Sequence, residues 1–293
     1  GKIHVENLCH NVPNVEVVSV ADVAVDATRE WAKQFNITNV TADPHEVINN
    51  PEVDAVLICS PTDTHADYII AAAKAGKDIF CEKPIANDLE KTKEALKAVE
   101  EAGVKLQLGF NRRFDRNFRR IRELIQTGQL GDVHIVKITS RDPGPPPIEY
   151  VKVSGGIFMD MTIHDFDMAR YLTGSEVEEV YAKGAVLVDP EIGKAGDFDT
   201  AVITLKFANG AIGVIDNSRK AVYGYDQRVE AFGSKGGAQA FNEKPTNVEV
   251  STADGVCTDK PLYFFLERYM GSFAQELQDF VTAVTEDKEP PVT

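Results

Sequence analysis

The first two-fifths of the chain alternate short apolar runs with longer amphipathic segments. The apolar runs lie at 15–21, 54–59, 79–81 and 105–110, and we expect each of them to form a buried strand. Helices are predicted between them, with Asp26 and Asp88 as the N-caps of two. Strands that alternate with helices of this length are typical of right-handed βαβ units, so the pattern predicts a parallel sheet.

After about residue 130 the pattern changes to strands with few helices between them. Only a helix around Asp160 and a late helix over 264–285 interrupt the series, and Ala208-Asn209-Gly210 supplies one hairpin turn. This half therefore predicts an α+β domain with a large, mainly antiparallel open sheet. We place the two domains at 1–112 and 113–293. The predicted strands lie at 133–140, 177–186, 199–207, 211–216, 227–232 and 246–250.

Composition narrows the class of protein without identifying it. The chain has 293 residues, of which 43% are apolar and 26% charged, as in soluble globular proteins. A formal net charge of −15 argues against nucleic acid or an anionic membrane surface as a partner. Neither the four cysteines nor the six histidines show zinc spacing, so we expect no metal site and a reducing, cytoplasmic compartment.

The segment 155–167 places acidic and imidazole side chains inside an apolar stretch. Asp160, His164 and Asp167 lie at i, i+4 and i+7, which in a regular helix puts them on one face. Two interpretations are open for such a face. It is either a satisfied buried polar network or a proton-transfer site.

A second candidate is Lys83, in the sequence Cys81-Glu82-Lys83-Pro84. Because Pro84 disfavours a helix at the preceding residue, Lys83 should lie at the end of a strand, where open α/β sheets bind ligands. A lysine there can keep its charge and donate to a substrate hydroxyl, or lose it by burial and act as a base. The alternative is a solvated Glu-Lys pair in a loop.

Asp22 ends the first predicted strand, as does the acid that binds the adenosine ribose in Rossmann folds. A glycine-rich loop is expected about twenty residues earlier, and counting back from Asp22 leads to Gly1. We therefore expect Gly1 to be the last glycine of such a loop, with the preceding first strand missing. Loss of that central strand would leave unpaired strand edges in the sheet.

Three motifs together give the chain a family resemblance. They are Cys81-Glu82-Lys83-Pro84, the stretch from Gly109 to Asp115, and the stretch from Gly155-Gly156 to Asp167. With these, the chain resembles the glucose–fructose oxidoreductase/inositol dehydrogenase family over essentially its whole length. The resemblance implies an NAD-binding Rossmann domain and a second domain whose open sheet packs into dimers or tetramers. It also implies oxidation of a secondary ring alcohol of a small-molecule polyol, with hydride passing to the nicotinamide.

The resemblance also implies roles for individual residues. His164 corresponds to the general base, Asp160 to its partner, and Lys83 to a lysine that contacts the substrate. The polyol contacts would be Arg113, Asp167 and Tyr223, and the cofactor contacts Gly1, Asp22, Ser60, Pro61, Thr62, His65, Glu82 and Lys83. For three of these a plainer interpretation stays open: His65 as a helix residue, Arg113 as a solvated charge, and Tyr223 as strand surface.

Other functions remain to be weighed against a cyclitol dehydrogenase. A close variant would act on another cyclitol or an aldose. A sensor that binds the dinucleotide without catalysis predicts loss of Lys83, Asp160 or His164, and all three are present. A chain without its first strand could also be inert.

Overall fold

The computed structural model describes residues 1–293, which form two compact units. The first unit combines residues 1–111 with residues 271–293, and the second comprises residues 112–270. The predicted second domain, 113–293, therefore needs one correction, because its last segment belongs to the first unit. No helix in the structure is both long enough and apolar enough to cross a lipid bilayer.

The strands of the first unit are all parallel but form two separate ladders. One ladder pairs β1 with β2, and the other has the order β3-β4-β5. No hydrogen-bonded strand pair joins the two ladders. The bounds are β1 Ser19–Ala21, β2 Asn39–Thr41, β3 Ala55–Ile58, β4 Asp78–Cys81 and β5 Leu106–Leu108.

Six α-helices accompany these strands. Asp88 caps α5 as predicted, since its side chain accepts from the amide of Lys91. The predicted cap Asp26 is wrong, because that helix begins at Val25 and Asp26 lies in its first turn. The helices are α1 Lys2–His10, α2 Val25–Ala32, α3 Pro44–Ile48, α4 Thr62–Lys74, α5 Leu89–Ala102 and, at the end of the chain, α11 Met270–Thr285, with a 3-10 turn at Lys33–Phe35.

Strand β4 is buried on both faces, which explains why the last helix belongs to this unit. Ile79 and Cys81 pack into one apolar cluster, whereas Phe80 packs into a second with residues of α11. The rings of Phe80 and Phe280 meet edge to face with centroids 5.9 Å apart. A helix that covers the second face of a parallel strand completes the layered α/β arrangement.

The second unit is built on a six-stranded sheet with the order β11-β10-β6-β9-β8-β7. Only the β6–β9 pair is parallel, so the predicted mainly antiparallel sheet is confirmed. The predicted hairpin at 208–210 joins β8 to β9. The strands are β6 Val133–Arg141, β7 Val177–Ala185, β8 Thr200–Phe207, β9 Ile212–Ser218, β10 Asp226–Gly233 and β11 Gly236–Ala240, with a separate hairpin of β12 Glu249–Thr252 and β13 Gly255–Thr258.

Alternation along β8 shows how this sheet is covered. Ala201, Ile203 and Leu205 are buried on one face, while Val202 between them is 48% exposed on the other. Helix α8 contacts the sheet at β6. The helices of this unit are α6 Arg116–Gln126, α7 Ile148–Val151, α8 Ile163–Thr173, α9 Pro190–Lys194 and α10 Phe265–Arg268, with a 3-10 turn at Asn111–Phe114 and a π-helix at Phe158–Thr162.

Candidate active site

The segment that carries Asp160 and His164 is not one regular helix. A π-helix covers Phe158–Thr162 and continues directly into α8. The hydroxyl oxygen of Thr162 lies 3.1 Å from the carbonyl oxygen of Ile157, five residues back, as in the wider π turn. The predicted 3.6-residue spacing is therefore wrong here, because a π turn changes the angle between successive side chains. Such π-bulges frequently occur at functional sites.

Both carboxylate oxygens of Asp160 accept hydrogen bonds. The Tyr150 hydroxyl donates to Oδ1 and the Arg219 guanidinium donates to Oδ2, each at 2.8 Å. Burial, followed by the charge of Asp160, raises the pKa of Tyr150. Arg219 is only 2% exposed, so Asp160 supplies the negative charge that this buried cation requires. Neither Arg219 nor Tyr150 was predicted, because neither lies at a helical i, i+3 or i+4 spacing from Asp160.

Asp142 is a further acid in the same group of side chains. Its Oδ2 lies 3.8 Å from Nη1 of Arg219. Burial raises the pKa of Asp142 to about 6, and the nearby arginine charges only partly oppose this effect. The second unit therefore contains a carboxyl group that titrates close to neutral pH, where a histidine also titrates.

Asp165, next to His164 in the chain, anchors the first turn of α8. Its two oxygens accept from Arg112 at 2.6 Å and from the Asn217 side chain at 2.8 Å. The Thr162 hydroxyl in turn donates to Asn217 at 2.6 Å. Asp165 is fully buried, so this ion pair is protected from water. The neighbouring His164 is consequently held on a helix turn that is fixed to β9.

Arg113 and Asp167 bind each other. The Nε and Nη2 atoms of Arg113 donate to the two oxygens of Asp167 at 2.8 and 2.6 Å, a bidentate arrangement. The guanidinium carbon also lies 5.3 Å from the ring centroid of Tyr171. Arg113 is therefore not a solvated charge, and the two residues predicted as polyol contacts form one rigid pair.

Tyr223 lies among charged side chains from two strands of the sheet. Its hydroxyl donates to Asp226 at 2.5 Å and accepts from Arg141 at 3.1 Å. Burial and the bond to Asp226 raise the pKa of the phenol, so it stays protonated near neutral pH. Tyr223 is 39% exposed and lies in the turn between β9 and β10, so the interpretation as strand surface is wrong.

A surface cavity of about 450 Å³ also lies in the second unit. Its lining comes from Arg116 and Asn117 of α6 and from the segment 241–258. None of the predicted site residues lines this cavity, so it does not mark the candidate site.

In the first unit, Asp22 and two helix N-termini fit a dinucleotide. Asp22 follows β1 with an exposed side chain, and its Oδ1 accepts from the amide of Ala24 at 2.8 Å. Helices α1 and α4 begin after Gly1 and Pro61, and neither has a side-chain cap. In α4 the Thr64 amide donates to the Pro61 carbonyl at 3.0 Å, and the amides before it, like the first amides of α1, remain available for phosphate oxygens. These residues fit NAD, with Asp22 suited to a ribose diol.

His65 links the turns that follow β3 and β4. The imidazole is 2% exposed, and its nitrogens lie 2.8 Å from the carbonyl oxygens of Ser60 and Pro84. The Ser60 hydroxyl is also 2.6 Å from that of Thr64. His65 therefore holds together the two predicted cofactor-binding turns, instead of presenting its own ring to a ligand.

Glu82 and Lys83 follow directly after β4, as predicted. The Glu82 carboxylate lies 2.6 Å from Nε2 of His4. Burial by itself would raise the pKa of Glu82, but the His4 bond and the charge of Lys83 lower it overall. Glu82 is therefore ionised near neutral pH, and Lys83 is half-buried at the carboxyl end of the strand.

A parallel, helix-covered sheet with an exposed acid after its first strand, followed by a domain that carries an acid–imidazole helix, is typical of dinucleotide-dependent oxidoreductases. Residues 1–110 match the family model of the oxidoreductase family with an NAD-binding Rossmann fold, and residues 118–239 match the GFO/IDH/MocA C-terminal domain. The chain belongs to this GFO/IDH/MocA oxidoreductase family.

Similar proteins extend over the whole chain. The myo-inositol 2-dehydrogenase of Thermotoga maritima is 52% identical over 293 residues, which cover all of this chain and 87% of that protein. The inositol 2-dehydrogenase of Rhizobium meliloti is 47% identical, covering 99% of this chain and 87% of that protein. The structure of a scyllo-inositol dehydrogenase from Lactobacillus casei with NAD(H) and scyllo-inositol superimposes with a TM-score of 0.92 at 30% identity, covering all of this chain and 88% of that one.

Proposed function

We propose that this protein oxidises a secondary ring hydroxyl of a cyclitol with NAD, and that its substrate is myo-inositol, converted to the 2-keto compound. The observation that carries the proposal is His164 on a helix turn whose next residue, Asp165, is locked by Arg112. The inositol dehydrogenases named above support the substrate class. NAD, when bound, accepts the hydride from the carbon that bears the oxidised hydroxyl.

In this proposal His164 accepts the proton of the reacting hydroxyl. A neutral imidazole is a suitable base near pH 7, and its orientation follows from the anchored first turn of α8. Asp160 supplies negative charge on the preceding π turn, which stabilises the imidazolium that forms. Its bonds to Tyr150 and Arg219 keep this carboxylate in one place.

Lys83 is assigned a different role from His164. Its ammonium group donates to the reacting hydroxyl, which favours the alkoxide that develops as the proton leaves. Glu82 next to it is ionised, so a negative charge in the neighbouring residue balances this ammonium group.

Recognition of the other ring hydroxyls is assigned to Arg113, Asp167 and Tyr223. The Arg113–Asp167 pair presents donors and acceptors that are already oriented, so little ordering is required when a polyol binds. The fixed ring of Tyr223 offers its hydroxyl. Pairs of donors and acceptors suit vicinal hydroxyl groups, which cyclitols and aldoses share.

We also propose a homo-oligomer, a dimer or tetramer, in a cytoplasmic setting. The outer face of the second unit's sheet exposes Tyr181, Val202 and Ile212, each at least 48% exposed. Apolar side chains grouped on one sheet face are typical of subunit contacts. All four cysteines are free, as expected in a reducing compartment.

A substrate panel tests the proposed function. NADH formation should be followed by absorbance with myo-inositol, scyllo-inositol and common aldoses, with NAD and NADP compared. The highest kcat/KM is expected for myo-inositol with NAD. A higher value for an aldose would contradict the proposed substrate, and NAD binding without turnover on any of them would favour the sensor.

A further inference from the structure

Three ionisable side chains meet inside the first unit. They are His4 from α1, Glu82 after β4 and Glu276 from α11, and their ligating atoms all lie within 4.8 Å of one another. His4 is 4% exposed and Glu276 is fully buried. We call these three residues the His4 cluster.

The position of Glu82 within the His4 cluster is fixed by its neighbours. His4 contacts its carboxylate at 2.6 Å, and the imidazole packs edge-on against Phe80 and Phe273 at 5.3 and 5.9 Å. A Cβ atom on Gly109 would lie 2.9 Å from Oε2 of Glu82. Only glycine therefore leaves room for this carboxylate on the side of the following strand.

Glu276 differs from Glu82 in having no partner for its charge. Both of its carboxylate oxygens are buried without a hydrogen bond. A second ionised carboxylate this close to Glu82 would be opposed by like-charge repulsion and by burial. Burial, followed by the charge of Glu82, raises the pKa of Glu276 well above its usual value. Of the two carboxyl groups in the cluster, Glu276 is therefore the one that carries a proton.

The surrounding groups leave this assignment in place. The Cys59 thiol also feels the charges of Glu82 and Glu276, and burial raises its pKa to about 12, so it remains neutral. Lys83 is positive and acts on Glu82. Gln107, from β5, donates its side-chain amide to the backbone carbonyl of Glu276 at 2.8 Å and adds no charge.

We propose that His4 and Glu276 are positioning residues for Glu82, with Glu276 acting as a neutral carboxylic acid that keeps a single negative charge in the His4 cluster. The charge of Glu82 then matches the ammonium group of Lys83, the next residue. The consequence for turnover rests on the proposed function, whereas the protonation of Glu276 does not.

Thermal unfolding of the Glu276→Gln variant across pH tests the protonation. Glutamine matches a neutral acid in shape and cannot titrate. Because the folded-state pKa of Glu276 is raised, this group makes the wild-type protein less stable as pH rises above the ordinary carboxyl pKa. The variant lacks this contribution to the pH dependence. The Tm of Glu276→Gln relative to wild type should therefore increase steadily between about pH 5 and about pH 8.

The matched control is Glu286→Gln, an exposed acid directly after the same helix, whose difference from wild type should stay flat with pH. A flat difference for Glu276→Gln would overturn the proposal. An infrared difference spectrum of wild type minus Glu276→Gln at neutral pH gives a second test that does not depend on stability. It should show the carbonyl band of a protonated carboxyl group, and a carboxylate band alone would overturn the proposal.

Metal binding and kinetics supply the remaining tests. Stoichiometric binding of Zn²⁺ by wild type that is lost in Glu276→Gln would replace the neutral acid by a metal ligand and overturn the proposal. Glu276→Leu should have a kcat about tenfold below that of Glu276→Gln, with a smaller change in KM for NAD. Equal kcat values would overturn the positioning role. Absence of turnover in wild type would refute the proposed function while the Tm and infrared results still decide the protonation.

Discussion

Replacing Asp165 by alanine should destabilise the second unit strongly. Arg112 and Asp165 are 7% and 0% exposed at the side chain, with Nη1 and Oδ1 2.6 Å apart. Removing the carboxylate leaves the buried guanidinium without its counter-ion and the Asn217 amide without its acceptor. Breaking one partner of a buried pair costs about 3–5 kcal/mol, which is a large share of the free energy of unfolding of a domain.

The matched control for this prediction is the Arg170–Glu176 pair. Its N–O distance is also 2.6 Å, but the side chains are 49% and 74% exposed. Because water screens such a pair, Glu176→Ala should scarcely move the unfolding midpoint. Urea unfolding of Asp165→Ala, Glu176→Ala and wild type, monitored by circular dichroism, compares the two pairs at equal distance. If Asp165→Ala loses no more stability than Glu176→Ala, the anchoring of the His164 turn by Asp165 is refuted.

Three further predictions concern the cofactor, the titrating acid and the core. Asp22→Ser should lower the preference for NAD over NADP, since the carboxylate repels a 2′-phosphate; unchanged kcat/KM ratios would remove Asp22 from the ribose site. Burial raises the pKa of Asp142 from 3.8 to about 6, so wild type loses stability as pH rises through this range. Urea titrations should accordingly show the free energy of unfolding of Asp142→Asn rising relative to that of wild type from about pH 4 to about pH 6. A difference in unfolding free energy that is constant with pH would exclude this titration of Asp142. Phe80→Ala should cost about 3–5 kcal/mol of unfolding free energy by calorimetry, and a loss typical of a surface site would contradict its place in the core.

The sequence predicted the class of fold because its signals are local. The alternation of strands and helices before residue 110 and the Asn-Gly turn at 209–210 both depend on neighbouring residues. Short strands without a readable period, such as β2 and the glycine-containing β11, were missed. So was the return of α11 to the first unit, because the contact of Phe280 with Phe80 joins distant parts of the chain.

The candidate site was predicted in part for a similar reason. The spacing of polar residues indicated the segment with Asp160 and His164. The π turn within it could not be predicted, because a 3.6-residue pattern assumes a regular α-helix. Asp165 lies outside that spacing, and its partner Arg112 resembles an exposed arginine until the fold buries both. Partners brought together by tertiary structure alone cannot be recognised from spacing along the chain.

The central claim is that His164 accepts the proton of a cyclitol hydroxyl. The most direct measurement compares NADH formation from myo-inositol by wild type and His164→Ala, with NAD affinity measured separately by fluorescence titration. We expect wild type to turn over and the variant to be slower by about 10²–10⁴-fold, with nearly unchanged NAD affinity, as for loss of an acid–base group. Near-normal turnover by His164→Ala would contradict the assignment of the base.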